Sequence, residues 1–441
     1  MEIYAIGGYD EVGKNMTAVK IKDEIIIFDM GFYLPKLLDF EEGDPRDLTT
    51  KDLIKIGVLP DDSILEKEKN KVKAIILGHC HLDHIGAAPY LAEKYNCPIF
   101  GTPYTLGLLK TLLDERELNF DDRLISLNFG ARYKITDNIE LELVGITHST
   151  VQTALIVLKT LEGSVVYAND FKLDSHPVVG KKPDFERMEE IGKKGVKLLI
   201  MDSLKSNNEM KTPSEKVARE MLKDVIAGVQ NTKDSAIVVT TFSSHIARLK
   251  SIIDFGESLN RKVIFLGRSL YKYVEVAEDL KIVNFRNKVD RVGYRRLVEK
   301  KLKDISNKKN KYLIACTGNQ GEKDSILTKM AHGELPWKFS PNDIVIFSCR
   351  TIPTPETVQN RQDLENKLKE QHVRIFKDIH VSGHGSSEDH RDMLMLLKPK
   401  NLIPSHGPYE IVKGAEELAV SMGYVKGKTV HILKNGKILK L

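Results

Sequence analysis

The sequence predicts an α/β protein with two domains of different class. Residues 1–205 consist of short strands and turns with a few helical segments between them. Residues 206–355 alternate regularly between strand and helix, and residues 356–441 return to histidine-rich turns like those of the first part. We therefore expect one domain in two pieces, 1–205 and 356–441, with a second domain inserted over 206–355.

The strands of the first domain are short apolar runs that end in polar residues. One clear helical segment, GAAPYLAEKY, with Pro89 in its first turn, lies between KVKAIILGHC and the later strands. Many strands with interleaved helices favour a layered arrangement of sheets and helices. The runs that define the strands are EIIIFDMG, KVKAIILGHC, IELELVGIT, TALIVLKT, SVVYAND and GVKLLIMDS.

The second domain begins with a helix whose start has a capping pattern. Thr212 is the predicted N-cap, Pro213 takes the first helical position, and Glu215 has the spacing of a capping box. Apolar strands such as SAIVVTTFSS, KVIFLG, KYLIAC and DIVIFSC then alternate with helical segments. This alternation is typical of a doubly wound parallel sheet.

The overall composition excludes several classes of protein. The 441 residues are 41% hydrophobic, and 67 Lys and Arg oppose 62 Asp and Glu, a net charge of +5 that argues against a histone-like protein. Four widely spaced cysteines without a CxxC pair favour a reducing compartment. The chain starts without an apolar signal segment, and no stretch approaches the roughly 18 apolar residues of a membrane span. We expect a cytoplasmic protein without a membrane partner.

The hexapeptide HCHLDH is the centre of the functional prediction. His79, His81, Asp83 and His84 follow a buried strand and precede a helix, so four potential ligands project from one short loop. Imidazole and carboxylate are the ligand types that suit zinc and its neighbours. His79 and His81 would face one side in extended geometry, whereas Asp83 and His84 fall at the helix start. The loop therefore predicts two metals rather than one.

Further ligands are expected at the ends of later strands. His148 follows an alternating strand in GITHST, Asp170 ends SVVYAND, and His406 follows the apolar LIPS. Each residue alone is equally compatible with a capping or surface role. Together with the hexapeptide they predict a dinuclear site on a rigid sheet edge.

These residues resemble the metallo-β-lactamase superfamily, whose fold is an αββα sandwich. Asp29 in IIIFDMG matches the first acidic motif of that fold, which supports the metal loop from behind. Asp202 before the insert, and GHGS and PSHG after it, resemble the β-CASP nucleases. GGYDEVGKNM, CTGNQGE and HVSGHGS resemble the RNase J branch. The resemblance covers essentially the whole chain.

The resemblance implies two Zn²⁺ ions, with Mn²⁺ or Mg²⁺ as substitutes. One ion is assigned to His79, His81 and His148, the other to Asp83, His84 and His406, and Asp170 bridges the two. Cys80 is expected to face away and pack in the core, although its thiol leaves a soft ligand open as an alternative.

The resemblance also implies the catalytic residues. Asp202, His384 and His406 occupy the subgroup motifs, and Asp83 is counted with the catalytic set. His384 is expected to donate the proton to the departing oxygen, with Asp202 orienting it and favouring its charged form. His380 could compete for this role.

Small residues around His384 predict a turn that can hold a phosphate, and the resemblance to RNase J-like enzymes implies that this is the terminal phosphate of the substrate. The residues assigned to it are His380, Ser382, Gly383, Gly385 and Ser386. The plainer interpretation is that the serines cap the helix that follows.

A basic run lies in the insert between Lys281 and Lys311, where twelve Lys and Arg face three acidic residues. Such a run is usually a solvated helix face, but beside a phosphodiesterase site it predicts a surface that binds RNA. The RNA contacts expected are Arg295, Arg296 and Lys300.

The function implied is a processive 5′→3′ exoribonuclease that prefers 5′-monophosphate RNA and acts in RNA decay or maturation. The alternatives are a β-CASP endonuclease that cuts RNA 3′ ends, a small-molecule hydrolase of the superfamily, and an RNA-binding scaffold without catalysis. The exonuclease is preferred to the endonuclease because no KH-type domain is expected before the first strand and because HVSGHGS resembles RNase J more closely. The C-terminal domain usual in bacterial members is not expected here, so the archaeal type is predicted. A homodimer and partners in RNA decay or translation stay open.

Overall fold

A computed structural model describes residues 1–38, 48–228, 235–352 and 354–441. The strands among these residues are β1 (Glu2–Gly7), β2 (Met16–Ile21), β3 (Glu24–Phe28), β4 (Val72–Ile76), β5 (Ile99–Gly101), β6 (Leu124–Ser126), β7 (Arg132–Lys134), β8 (Glu140–Gly145), β9 (Ala154–Thr160), β10 (Gly163–Ala168), β11 (Val196–Asp202), β12 (Ile237–Thr240), β13 (Lys262–Leu266), β14 (Val289–Val292), β15 (Tyr312–Cys316), β16 (Ile344–Phe347), β17 (Arg374–Phe376), β18 (Leu402–Ser405) and β19 (Lys437–Lys440).

The α-helices of the same residues are α1 (Leu34–Leu38), α2 (Thr50–Lys55), α3 (Leu82–Ile85), α4 (Ala88–Leu91), α5 (Pro103–Asp114), α6 (Phe185–Lys194), α7 (Glu215–Gly228), α8 (Ile246–Ser258), α9 (Arg268–Asp279), α10 (Arg295–Ile305), α11 (Ile326–Ala331), α12 (Pro355–Glu370), α13 (Ser387–Leu397) and α14 (Tyr409–Ser421). Short 3₁₀ helices cover Ser63–Lys71, Ala92–Lys94, Asp121–Arg123 and Ser306–Lys311.

The chain divides into two compact units. The sandwich unit comprises Met1–Ser175, Lys181–Thr212 and Ser382–Leu441, and the insert unit comprises His176–Gly180 and Pro213–Val381. The insert unit therefore includes β17, which lies beyond the boundary predicted at residue 355, because α12 leads the chain back to one more strand of the same sheet. The division of the sequence at 205 and 355 stays a prediction.

Two sheets form the centre of the sandwich unit. Their strand orders are β19-β1-β2-β3-β4-β5-β6 and β18-β11-β10-β9-β8-β7. Apolar residues from both sheets share one core, in which the rings of Phe28 and Tyr167 stack with centroids 4.9 Å apart. α6, α13 and α14 share a second core with the outer face of the second sheet, and α5 packs on β5 and β6. The expected αββα sandwich is confirmed.

Parallel pairing brings the predicted ligands to one edge of each sheet. β3 and β4 run parallel, so Asp29 and the hexapeptide follow neighbouring strand ends. β10, β11 and β18 also run parallel, with Asp202 opposite Ser405, so Asp170, Asp202 and His406 emerge side by side. Carboxyl ends of parallel strands are where open α/β sheets carry their sites.

The insert unit is built on a parallel sheet of strand order β14-β13-β15-β12-β16-β17. α10, α11 and α12 share an apolar core with this sheet, and α8 and α9 pack against β13. The predicted parallel sheet flanked by helices is thus confirmed.

All four cysteines are free and buried. Among the described residues, no helix is both long enough and apolar enough to cross a bilayer. The cytoplasmic location stays a prediction.

Candidate metal centre

Four side chains of the sandwich unit converge on one point beside the hexapeptide. His79 Nε2 lies 3.0 Å from His81 Nδ1 and 3.5 Å from Asp170 Oδ2. His148 Nε2 lies 3.2 Å from the same nitrogen of His81 and 3.4 Å from the same oxygen of Asp170. Ligands bonded at about 2.0–2.2 Å to a tetrahedral ion lie roughly 3.4 Å apart, so these four donors have the spacing of a zinc site.

A second group of donors lies on the other side of Asp170. His84 Nε2 is 3.5 Å from Asp83 Oδ2, and His406 Nε2 is 4.0 Å from that oxygen. Asp170 Oδ1 is 3.3 Å from His84 Nε2 and 3.6 Å from His406 Nδ1. One carboxylate oxygen of Asp170 thus faces each group, which is the arrangement expected of a bridging ligand.

The charges of these residues fit a site for cations. Burial lowers the pKa of His79 and His148 well below the ordinary value and that of His81 to about 4, so these rings are neutral and able to bind a metal. The buried atom His79 Nδ1 has no hydrogen-bond partner among the described residues. Burial also opposes the charge on His84, but Asp170, Asp83 and Asp29 raise its pKa well above the ordinary value. A metal bound at His84 would therefore displace a proton.

Asp29 contacts the hexapeptide from the side opposite Asp83 and Asp170. Its Oδ2 lies 2.7 Å from His84 Nδ1, and its Oδ1 accepts the Gly78 N–H at 2.8 Å. The carboxylate is fully buried. Its bond to Nδ1 orients the His84 ring so that Nε2 points at Asp83 and Asp170.

Three of these residues have left-handed backbone geometry. The φ angles are 55° at Asp29, 57° at Asp170 and 65° at His406, a region that residues other than glycine rarely adopt. Each residue follows the end of a strand, and the sharp change of direction turns its side chain into the site. Strained backbone of this kind is concentrated at functional sites.

Asn15 belongs to the site and was missed in the sequence. Its amide nitrogen donates to the Asp83 carbonyl at 3.0 Å and lies 3.0 Å from His84 Nε2. Its Oδ1 lies 2.9 Å from His406 Nδ1, which joins the first loop of the chain to the last ligand. The Gly-rich turn GGYDEVGKN was the available signal, because such turns bring backbone close to a site.

His384 faces the centre with one ring nitrogen and is held by the other. Its Nδ1 lies 2.8 Å from Oδ2 of the buried Asp202, and its Nε2 lies 4.0 Å from Asp170 Oδ2. Burial alone would lower the pKa of His384, but Asp202 and Asp170 together raise it to about 9. The ring therefore carries a proton at neutral pH. His384 also groups with Asp170 and His406 as a set of donors close enough to hold a metal.

His380 has the opposite electrostatic setting. It belongs to the insert unit, where burial, Arg248 and His245 lower its pKa to about 3. A neutral imidazole is not a proton donor of the required strength near pH 7. The environment therefore favours His384 over His380 as the acid.

The turn around His384 is already hydrogen-bonded within the sandwich unit. The Ser382 hydroxyl accepts the His384 N–H at 3.0 Å, and the Gly385 N–H donates to the Phe171 carbonyl. The Gly383 carbonyl accepts from His148 Nδ1 at 2.7 Å, which orients that ring. Ser386 is the N-cap of α13 in a capping box, as the plainer interpretation expected. A phosphate held by open N–H groups of residues 384–386 would have to displace these bonds.

The basic run carries less uncompensated charge than its sequence indicates. Glu278, Glu257 and Asp343, which lie outside the run, pair with Arg291 at 2.8 Å, Lys288 at 2.9 Å and Lys309 at 3.1 Å. Folding thus adds acidic partners that a local count of charges misses.

Arg295, Arg296 and Lys300 belong to the insert unit and lie on the exposed face of α10. Arg295 pairs with Glu299 at 2.9 Å, whereas no ion pair joins Arg296 or Lys300 to the described residues. These two side chains are therefore available to bind a polyanion.

Cys80 packs away from the imidazoles. Its Sγ lies 3.2 Å from Thr150 Oγ1, and burial raises the pKa of the thiol to about 12. A protonated thiol is a poor metal ligand, so the packing role is the one that the geometry favours.

Comparisons with known proteins agree with this architecture. Residues 9–200 match the metallo-beta-lactamase superfamily, residues 234–364 the Ribonuclease J beta-CASP domain, and residues 371–433 the Zn-dependent metallo-hydrolase RNA specificity domain. Ribonuclease J of Methanocaldococcus jannaschii is 46% identical over 441 residues, with 100% of this chain and 98% of the relative covered. The chain belongs to the ribonuclease J family.

Two further relatives and one solved structure extend the comparison within the ribonuclease J family and its fold. Ribonuclease J of Pyrococcus abyssi is 42% identical, with 100% of this chain and 97% of the relative covered. Ribonuclease J of Helicobacter pylori is 32% identical over 99% of this chain, which spans 60% of that longer relative. The crystal structure of a protein of unknown function from Enterococcus faecalis has a TM-score of 0.63 at 17% identity and covers 100% of this chain and 99% of its own, a likeness of fold alone.

The metallo-beta-lactamase superfamily implies a divalent metal, and the His and Asp clusters of this chain are candidates for holding it.

Proposed function

We propose that this chain is a metal-dependent ribonuclease that removes nucleotides from the 5′ end of RNA, with a preference for a 5′-monophosphate, in RNA decay or maturation. The observation that carries the proposal is the position of Asp170 between two groups of ligands, with His384 facing the same carboxylate. The family relatives, which are named Ribonuclease J, support RNA as the substrate.

We assign His79, His81 and His148 to one Zn²⁺, Asp83, His84 and His406 to a second, and Asp170 to both. When bound, two divalent ions supply a hydroxide nucleophile near neutral pH and neutralise charge on the phosphodiester. Neutral rings at His79 and His81 offer lone pairs without first losing a proton.

The protein's own part in the reaction is to hold a proton where the departing ribose oxygen needs it. His384 carries that proton on Nε2, because Nδ1 is engaged by Asp202. As the bond from phosphorus to the ribose oxygen breaks, transfer of this proton yields a neutral hydroxyl group instead of an alkoxide. Asp202 stabilises the charged ring beforehand and keeps its orientation.

The test uses one RNA labelled in turn at each end and carrying a 5′-monophosphate, a 5′-triphosphate or a 5′-hydroxyl. We expect single nucleotides from the 5′-labelled monophosphate RNA and a 3′-labelled strand that shortens progressively. A chelator should stop the reaction and added Zn²⁺ or Mn²⁺ should restore it. Discrete internal fragments alone, equal for all three 5′ ends, would overturn the exonuclease in favour of the endonuclease.

A further inference from the structure

Thr212 is the last residue of the sandwich unit before the chain enters the insert unit at Pro213. The capping pattern of the sequence predicts that its hydroxyl caps α7, but that prediction is wrong. α7 begins at Glu215, and the Ser214 hydroxyl accepts the Lys216 N–H at 3.1 Å. The Thr212 side chain bonds to the turn that carries His384 instead.

The Thr212 hydroxyl holds that turn at two points. It donates to the His384 carbonyl at 2.9 Å and accepts the Ser386 N–H at 2.8 Å. It also lies 3.0 Å from Ser386 Oγ. Thr212 is 6% exposed, so solvent does not readily replace these bonds.

Asp389 fixes the backbone of Thr212 at the same place. Its Oδ2 accepts the Thr212 N–H at 2.8 Å and the Ser386 N–H at 3.1 Å, and its Oδ1 accepts the Leu173 N–H at 3.2 Å. The Asp389 carboxylate is fully buried. One carboxylate thus ties the exit of the chain to the segment that follows Asp170 and to the turn that carries His384.

The His384 ring is held by one hydrogen bond and by two neighbouring rings. Its Nδ1 bonds to Asp202, and the rings of His148 and His406 pack against it with centroids 5.0 and 5.4 Å away. The position of Nε2, 4.0 Å from Asp170 Oδ2, then depends on where the backbone holds the Cα atom. A displacement of about 1 Å at a reacting group can cost on the order of 100-fold in rate.

We propose that Thr212 is a positioning residue for His384. Its hydroxyl holds the His384 carbonyl and thereby sets the direction of Nε2, the atom that carries the proton in the function proposed above, on which this inference rests. The segment that ends the sandwich unit at Thr212 therefore helps to hold His384, the proposed acid, in position.

The matched pair T212V and T212S tests the role. Valine keeps the shape and removes the hydroxyl, whereas serine keeps the hydroxyl and removes a methyl group. We expect T212V to lower kcat on 5′-monophosphate RNA by about 10- to 100-fold, with KM and bound zinc close to wild type. T212S should retain kcat within about threefold of wild type.

An imidazole spectrum of the full chain, labelled with ¹³C at histidine, provides a readout that does not depend on activity. The His384 signal, assigned by its loss in H384Q, should shift in T212V and remain in place in T212S. A wild-type enzyme that leaves RNA intact would refute the proposed function, while the spectrum would still decide the positioning role. Equal kcat and an unshifted signal in T212V would overturn the positioning role, as would T212S being impaired as strongly as T212V. Should T212V fail to fold, T212A is compared with T212S by the same two measurements.

Discussion

The substitution Asp29→Asn tests whether the second group of ligands depends on the carboxylate behind it. Asp29 accepts hydrogen bonds from the Gly78 N–H and from His84 Nδ1, and Tyr167 also bonds to its carboxylate. An asparagine has one acceptor oxygen, so whichever way its amide turns, one acceptor contact is replaced by a donor. With the amide nitrogen toward His84, the ring proton moves to Nε2, and the lone pair that would bind the metal is lost.

The magnitude follows from the role of the contact. Loss of a hydrogen bond behind a metal ligand costs about 10- to 100-fold in metal affinity, which is roughly 1.4–2.7 kcal/mol. We expect this loss at the site that contains His84 and little change at the site that contains His79, His81 and His148. The metal-free protein should lose about 1–3 kcal/mol of unfolding free energy, because a buried charge-assisted bond is gone.

Zinc affinity is measured by competition with a chelator of known affinity at fixed pH, and unfolding free energy by urea titration. Asp62→Asn is the matched control, since Asp62 is a buried carboxylate that bonds to Lys94 and Tyr95. It should destabilise the protein to a similar degree and leave both zinc affinities unchanged. The reasoning is refuted if D29N binds two zinc ions as tightly as wild type, or if D62N weakens zinc binding equally.

Three other predictions follow from the site, the basic helix and a buried ion pair. H384Q should lower kcat by about 100- to 10,000-fold with zinc content unchanged, and near-normal turnover in single-turnover assays would disprove its role as the acid. Replacing Arg295, Arg296 and Lys300 of α10 by glutamine should weaken RNA binding and reduce the slope of log K against log salt concentration by about 2. The same replacement of Lys181, Lys182 and Lys194 removes equal charge and should not change the slope. An unchanged slope in the α10 variant would refute the prediction. Burial alone would raise the pKa of Glu142, but Arg187 and Lys159 lower it to about 2. The ionised carboxylate therefore contributes its full share to the free energy of unfolding above pH 4.5, and this contribution is lost as the pH falls toward 2. Urea titrations at a series of pH values should show up to about 3 kcal/mol of this loss in wild type and none in E142Q. The prediction is wrong if the unfolding free energies of the two proteins change in parallel with pH.

The candidate ligands that could be predicted from the sequence are those carried by local structure. The hexapeptide follows a buried strand and enters a helix, and Asp29, Asp170 and His406 follow apolar runs, so short stretches of sequence were enough to predict their strand-end positions. Parallel pairing of β10, β11 and β18 then brings the later residues together. Local pattern and the rules of sheet pairing suffice for this part of the site.

The residues that could not be predicted from the sequence make contacts with residues far away along the chain. Asn15 contacts His406, 391 positions away, and Asp389 binds the Thr212 N–H, 177 positions away. Thr212 was also misassigned because a capping pattern is satisfied by residue types, whereas the bond that forms depends on which partner the fold brings near. The charge of the basic run was overestimated for the same reason, since Glu257 and Asp343 reach it only through the fold.

The left-handed backbone at Asp29, Asp170 and His406 lowers the stability of the fold, while the side chains at these positions supply the polar groups of the site. Each conformation costs on the order of 1 kcal/mol for a residue with a side chain, and glycine at any of the three positions would relieve that cost. The same change would delete a carboxylate or an imidazole from the centre. A descendant released from its chemistry would therefore be expected to accumulate glycine or asparagine early at positions 170 and 406, whereas at Asp29 the lost hydrogen bonds to Gly78 and His84 would outweigh the gain in backbone energy.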